Sequence, residues 1–327
     1  MSLGKPLSPL AFGGAPVGNL FAEVSDEEAT RALRHAWEGG IRHFDTAPYY
    51  GFGLSETRIG QALAGVPRDS YTLSTKLGRV IEDDDGRDGM ADGFAVSGRR
   101  ARFDYSRDGL RRSLDASLRR LGTDYIDILF LHDIGTLTHG ADHPRVLAQA
   151  LDEALPEMAR MRDEGVVGAI GLGVNEQAVC LDVMPRFPLD AIMLAGRYTL
   201  FEQHASREVM ARAGADDVAV LVAGPYNAGL LGGAAGPGDT YDYAPATAEV
   251  RTRAQRFYDV LRDTGVEVGA TALQFPLAHS AVVSVVCGLR SVDEVDAALR
   301  RHRATVPAAA WNALRASGLI EAEAPTP

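Results

Sequence analysis

Cysteine is nearly absent: the 327 residues include two, Cys180 and Cys287, far apart and without the paired spacing of a metal site. A disulfide framework is excluded, and a reduced protein of the cytoplasm is expected. Long apolar runs are missing too, as is a charged segment leading into an apolar one near the start, so neither a membrane span nor an export signal is expected. Positive charge is in deficit. Asp and Glu number 44 against 33 Lys and Arg, for a formal charge of −11. The basic runs 99–102 and 111–120 lack interleaved aromatics, so no nucleic-acid partner is expected. The glycines do not spell a dinucleotide fingerprint, because Gly171-Leu172-Gly173 is followed by Val174-Asn175-Glu176 where a final glycine is required. The histidines include no H-x-H at a strand end, and His139-x-x-x-His143 has no third ligand nearby, so metal chemistry is a weak rival.

What is present is an ordinary globular balance, 46% hydrophobic and 24% charged, enough for a large core. Eight short apolar runs alternate with stretches of helical period: 9–14, 41–47, 71–76, 126–132, 167–173, 190–195, 218–224 and 282–288. Helices are predicted at 106–121, 144–164, 250–264 and 307–317, and after Ser25-Asp26-Glu27-Glu28, a capping box followed by Ala29, Ala32, Leu33, Ala36 and Trp37 on one face. Eight such units favour closure, which removes both sheet edges; an open doubly wound sheet is the alternative. The expected fold class is therefore α/β, a (β/α)8 TIM barrel with an N-terminal hairpin and a C-terminal helix, in a single domain over 1–327. The long irregular stretch 79–105 is a candidate lid, and 224–238 is rich in glycine.

In such a barrel, chemistry belongs where strands end on their C-terminal side. Asp45, Tyr50, Lys76 and His132 fall at or just beyond the ends of three consecutive strand candidates. Taken singly each reads as a turn cap, a core phenol, a solvated strand end or a satisfied polar group; together they converge on one mouth. The chemistry they suit is proton exchange by a phenol. Bringing a phenol from about 10 towards 7 requires about 4 kcal/mol of preference for phenolate, more than a surface ion pair supplies. Lys76 is thus expected to act from inside a cavity, with Asp45 holding its ammonium and His132 hydrogen-bonding the reacting oxygen or the phenol.

The motifs Asp45-Thr46-Ala47-Pro48-Tyr49-Tyr50-Gly51, Leu73-Ser74-Thr75-Lys76 and Ile128-Leu129-Phe130-Leu131-His132 resemble the aldo-keto reductase family, and the similarity runs over about 10–299. The stretches 102–108, 132–133, 171–175 and 195–199 look most like a branch that includes D-threo-aldose 1-dehydrogenases and the L-fucose and pyridoxal dehydrogenases. The resemblance implies hydride transfer with NAD or NADP, Tyr50 as general acid or base, Lys76 and Asp45 tuning it, and His132 orienting the substrate oxygen.

It also implies a nicotinamide carboxamide contact at Asn175, whose other reading is a helix N-cap. Val174 stands where the family usually has serine, and Ala223 where many members stack an aromatic, with Tyr226 three residues on. For the phosphates the candidates are Pro225, Asn227, Gly229 and Leu231, and the helix start after Gly288 with Arg290 and Ser291. The glycines read equally as turn geometry. Gly13, Gly14 and Glu294 complete the expected cofactor set. Asp293, Glu294 and Asp296 beside Arg290 favour NAD at least as much as NADP. The expected substrate is a small carbonyl or sugar molecule, with Arg79, Asp133 and Arg197 suiting a hydroxylated one. Oxidation of an aldose or pyridoxal hemiacetal to a lactone is the leading reading. A general aldehyde or ketone reductase and a cofactor-binding regulatory barrel are the rivals.

Overall fold

A computed structural model describes residues 3, 5, 7–87, 89, 90 and 92–327. Eight parallel strands close into a barrel: β1 (Leu10–Gly13), β2 (His43–Asp45), β3 (Thr72–Leu77), β4 (Ile126–His132), β5 (Val167–Val174), β6 (Ala191–Ala195), β7 (Ala219–Ala223) and β8 (Val282–Gly288). Each pairs with the next in the chain, and β8 returns to β1 with Gly13 opposite Gly288. The closed alternative therefore holds over the open sheet. Each strand ends within two residues of its expected limits. Their near-continuous apolar character follows from burial on both faces, by helices outside and by side chains within. Inside the barrel lie Ile128, Phe130, Met193, Leu221 and Val286 among the alanines 11, 169, 191 and 219, large against small as the taper requires. Gly171 is obligatory for the wall, because a Cβ there would sit 1.9 Å from the carbonyl oxygen of Ala191.

The outer helices begin with capped amides. Ser25 Oγ accepts from the amide of Glu28, and Ser106 Oγ from that of Gly109, both at 3.1 Å, so Asp26–Glu38 and Arg107–Leu121 begin with satisfied donors. The expected 144–164 helix is interrupted: His143–Gln149 and Leu155–Asp163 flank a π-helical turn, Ala150–Ala154. Pro156 is the physical reason, since it has no amide proton for the regular ladder. The C-terminal helix, Ala308–Ala316, packs Trp311 into the core.

The expected N-terminal hairpin precedes β1, a segment of which residues 1, 2, 4 and 6 lie outside the described residues. The stretch 79–105, expected to be irregular, contains a hairpin, where Arg79–Asp83 pairs antiparallel with Arg99–Phe103. Its connecting loop is pinned at the barrel mouth: the carbonyl of Gly93 accepts from the amide of Phe21, that of Asn19 from Ala95, and the Phe94 ring is buried.

Candidate active site

The ends of β2 and β3 carry a chain of buried polar groups. Side chains alternate along a strand, so His43 and Asp45 share one face of β2 and Ser74 and Lys76 share one face of β3. Lys76 Nζ donates to Asp45 Oδ2 at 2.7 Å and to the carbonyl of Thr46 at 2.9 Å. Ser74 Oγ donates to Asp45 Oδ1 at 2.7 Å, and His43 Nε2 lies 2.9 Å from Ser74 Oγ. A hydroxyl that already donates to Asp45 accepts from the imidazole, so His43 carries its proton on Nε2. Burial lowers the His43 pKa to about 4, with Asp45 opposing the shift. A buried ion pair is tolerable only when its remaining lone pairs and protons are met, and Thr46 and Ser74 meet them.

Tyr50 stands on the turn after β2, and its backbone rests on Gly18. A Cβ at Gly18 would lie 2.7 Å from the carbonyl carbon of Tyr50, and one at Gly51 would lie 2.3 Å from the oxygen of Gly18. The Lys76 ammonium sits over the Tyr50 ring, 4.7 Å from its centroid. The expectation that Lys76 draws the phenol towards neutrality is not met in this state. Burial, with Asp45 and Asp133 adding to it, holds the phenol well above its usual 10. The reason is local: Lys76 is matched by the Asp45 carboxylate, so the pair presents little net positive charge.

His132, at the end of β4, faces the Tyr50 ring edge-on, with centroids 6.1 Å apart. Arg79 Nη1 lies 3.3 Å from His132 Nδ1, and Arg79 Nη2 donates to Asp133 Oδ2 at 2.9 Å. A guanidinium can only donate, so Nδ1 accepts and the ring proton is on Nε2. Burial holds the His132 pKa well below 6.5, aided by Arg79 and Lys76. Nε2 is 3.4 Å from Asp133 Oδ2, too long for a good hydrogen bond. Asp133 Oδ1 accepts from Asn175 Nδ2 at 3.1 Å. His139 and His143 contact the carbonyls of Asp133 and Ile134, and among the described residues no three His, Cys, Asp or Glu side chains group as metal ligands.

These groups line one wall of a cleft of about 820 Å³ that crosses the mouth. The opposite wall comes from the ends of β7 and β8 and the segments after them: Ala223, Gly224, Pro225, Gly229, Gly288 and Arg290. Gly224 and Gly229 have φ of +64° and +92°, which suits glycine. Arg290 Nε is buried without a hydrogen-bond partner, its nearest carboxylate oxygen being Glu294 Oε1 at 3.5 Å. Phe21 and Tyr243, both exposed, meet across the rim with ring centroids 6.4 Å apart.

The aldo/keto reductase family model matches residues 9–318. The chain belongs to that family. It is 36% identical to the pyridoxal 4-dehydrogenase of Microbacterium luteolum over 97% of this chain and 96% of that one. It is 37% identical to a Pseudomonas D-threo-aldose 1-dehydrogenase over 99% and 97%. Among solved structures, the holo form of an aldo-keto reductase from Bacillus halodurans superposes with a TM-score of 0.75 at 26% identity, covering 97% of this chain and 93% of that one. This aldo-keto reductase is accordingly an oxidoreductase of barrel fold.

Of the cofactor residues expected in this aldo-keto reductase, Gly13, Asn175, Pro225, Gly229, Gly288, Arg290 and Glu294 line the cleft. Four others are held elsewhere. Gly14 is packed under Ser55 and Asp45. The Asn227 amide bridges the carbonyl of Gly196 and the hydroxyl of Thr199, Leu231 is core, and Ser291 Oγ caps its helix by accepting from the amide of Glu294. Arg197, expected near substrate, is turned to Asp242 in a two-bond pair at 3.0 and 3.1 Å. Phe21, Phe94 and Tyr243 were not anticipated, because they come from loops with no periodic pattern. Ser74 and His43 had a legible signal, each lying two residues before a charged residue on its own strand.

Proposed function

We propose that this chain oxidises the hydroxyl of a ring hemiacetal, of an aldose or of pyridoxal, to a lactone, with a nicotinamide dinucleotide in the cleft and one barrel carrying the whole site. The observation that carries the reading is the juxtaposition of the Tyr50 phenol with the Nε2–H of a neutral His132 over the Asp45–Lys76 pair. The activities named for the near-full-length relatives point the same way.

The cleft fits the dinucleotide: Arg290, whose Nε makes no hydrogen bond, and the glycines at 224 and 229 line an open channel for phosphates. Arg290 and the loop after β7 would hold the diphosphate side, and the free carbonyl oxygen of the Asn175 amide would take the carboxamide. A bound nicotinamide supplies the hydride acceptor or donor. His132 Nε2–H donates to the substrate oxygen, fixing its distance to Tyr50 Oη, and Tyr50 exchanges the proton at that same oxygen. Arg79, Asp133 and Asn175 give the substrate side a polar floor and Tyr49 and Phe94 an aromatic wall, a combination suited to a hydroxylated ring. The Glu294 carboxylate at the helix start beside Arg290 would disfavour a further phosphate there, so NAD should serve at least as well as NADP.

The test is a matched panel of aldoses, pyridoxal, and aliphatic and aromatic aldehydes, assayed in both directions with both cofactors. Hemiacetal oxidation is expected. Strong reduction of simple aldehydes without any hemiacetal oxidation would replace this reading with that of a general carbonyl reductase, and cofactor binding without turnover of any panel member with that of a regulatory barrel.

A further inference from the structure

Arg79 is an unusual residue to find buried at the mouth, and its surroundings are built to hold it in one pose. It follows Gly78, whose φ of +108° turns the chain out of β3 and where a Cβ would meet the Tyr105 ring at 2.4 Å. Its carbonyl accepts from Ser113 Oγ at 3.1 Å. The guanidinium then lies over two rings, 3.8 Å from the centroid of Tyr49 and 4.9 Å from that of Phe103. The ring contacts restrict the plane of the fork, and the Asp133 carboxylate restricts its rotation. The arm left over points at His132 Nδ1.

Asp133 is itself held under constraint. Its φ is +49°, in the left-handed region that Asp enters more readily than most residues with a Cβ. Its amide donates to the carbonyl of Gly173, and its own carbonyl accepts from Tyr105 Oη at 3.1 Å. The same O–H is shared with the carbonyl of His132 at 3.0 Å. The backbone on either side of the histidine is therefore clamped as firmly as the arginine that faces it.

We propose that Arg79 is a positioning residue that locks His132 as the Nε2–H tautomer, with that proton directed into the cleft. Without the guanidinium, Nδ1 has no obligatory donor, and only the long 3.4 Å approach of Asp133 Oδ2 still favours a proton on Nε2. The Nδ1–H tautomer, then accessible, presents a lone pair, not a proton, to the substrate oxygen. The guanidinium has a second effect, since its charge opposes protonation of the ring. The charged and titratable groups facing His132 are Arg79 and Lys76 on the positive side, Asp133 on the negative side, and the neutral phenols Tyr49 and Tyr50. Removing Arg79 leaves Asp133 unopposed beside the ring and favours the imidazolium. Lysine is not an equivalent replacement, because a single ammonium cannot be held in plane by two rings while serving Asp133 and Nδ1 together.

The proposal rests on the reading of His132 as the group that meets the substrate oxygen, but its test needs no substrate. Nitrogen-15 NMR of histidine-labelled protein, with His132 assigned by H132Q, reports which ring nitrogen bears the proton. In the wild type Nε2 is expected to be protonated and Nδ1 bare, without titration between about pH 5 and 8. In R79M the two nitrogens should average and the ring should titrate in that range, with kcat/KM falling about a hundredfold and gaining an acidic limb. R79K retains the charge, so it serves if R79M does not fold; its ring should mix tautomers while remaining neutral. Wild-type shifts in a folded R79M or in R79K would overturn the proposal and leave Arg79 as a brace for the hairpin. Absence of turnover on every substrate would count against the proposed function and not against the lock.

Discussion

The side-chain amide of Asn175 donates to Asp133 Oδ1 at 3.1 Å, while Asp133 Oδ2 accepts from Arg79 at 2.9 Å. One carboxylate thus joins the residue expected at the nicotinamide to the residue that faces His132. Because a carboxylate only accepts, the Asn175 amide must turn its NH2 to Asp133 and its oxygen away. Asn175→Ala should weaken cofactor binding about tenfold, the loss of one hydrogen bond. Asn175→Asp should weaken it further by setting two carboxylates face to face. Fluorescence titration with the cofactor measures both, and unchanged affinity in the alanine variant would remove Asn175 from the cofactor site.

Tyr50 sits in surroundings that favour the neutral phenol, so its proton is retained until the solution is more alkaline than pH 10 in the cofactor-free protein. The ultraviolet difference between wild type and Tyr50→Phe should show no phenolate below that pH. Under the proposed function, oxidation needs the phenolate and reduction needs the phenol. Oxidation should therefore rise with pH across the neutral range while reduction stays level, and Tyr50→Phe should cut kcat by several orders of magnitude with cofactor affinity nearly unchanged. Lys76→Met should act in the same direction and move the oxidation limb to still higher pH.

His43 gives the fold an acid limit. Its folded pKa is about 4 against 6.5 for the free side chain, so the unfolded chain binds more protons between those values. Stability is full above pH 6.5, declines as the pH falls towards 4, and the loss amounts to about 3 kcal/mol. His43→Asn should flatten that decline in denaturant melts, though from a lower starting stability because Ser74 loses a donor. A wild-type decline as shallow as the variant's would show that other groups set the acid limit.

Much of this was legible in the residues. The eight strands were readable because a barrel strand is apolar on both faces and short, and Asp45, Tyr50, Lys76 and His132 because strand ends are where the barrel collects its chemistry. The raised pKa of Tyr50 was not: the sequence suggests that Asp45 holds Lys76 on the neighbouring strand, but the completeness of burial around the phenol and the 2.7 Å contact that offsets the ammonium belong to the folded chain. The hairpin inside 79–105 was missed since its charged residues, such as Glu82 and Arg100, pair with each other across the ladder and so mask the alternation of a strand. Asn227 and Arg197 look like ligands in a list of polar residues. Only the folded chain reveals that Gly196, Thr199 and Asp242 already engage them.

On the proposed reading cofactor choice turns on Glu294, whose carboxylate accepts from the amide of Arg290 at 2.8 Å at the helix start. Glu294→Gln should raise kcat/KM with NADP relative to NAD about tenfold, since one unit of repulsion at the 2′ position is removed. Asp296→Asn is the internal control. Its carboxylate lies 2.6 Å from His35 Nε2, so the ratio should not move.

The contact between Gly18 and the Tyr50–Gly51 backbone has a consequence for anyone who would redesign substrate range. Those glycines lie on different loops, one after β1 and one after β2, yet neither tolerates a methyl group against the other. The loops therefore form one inheritable block: transplanting either alone from a relative would displace the phenol from its place over Lys76, and a lineage can vary them only in step.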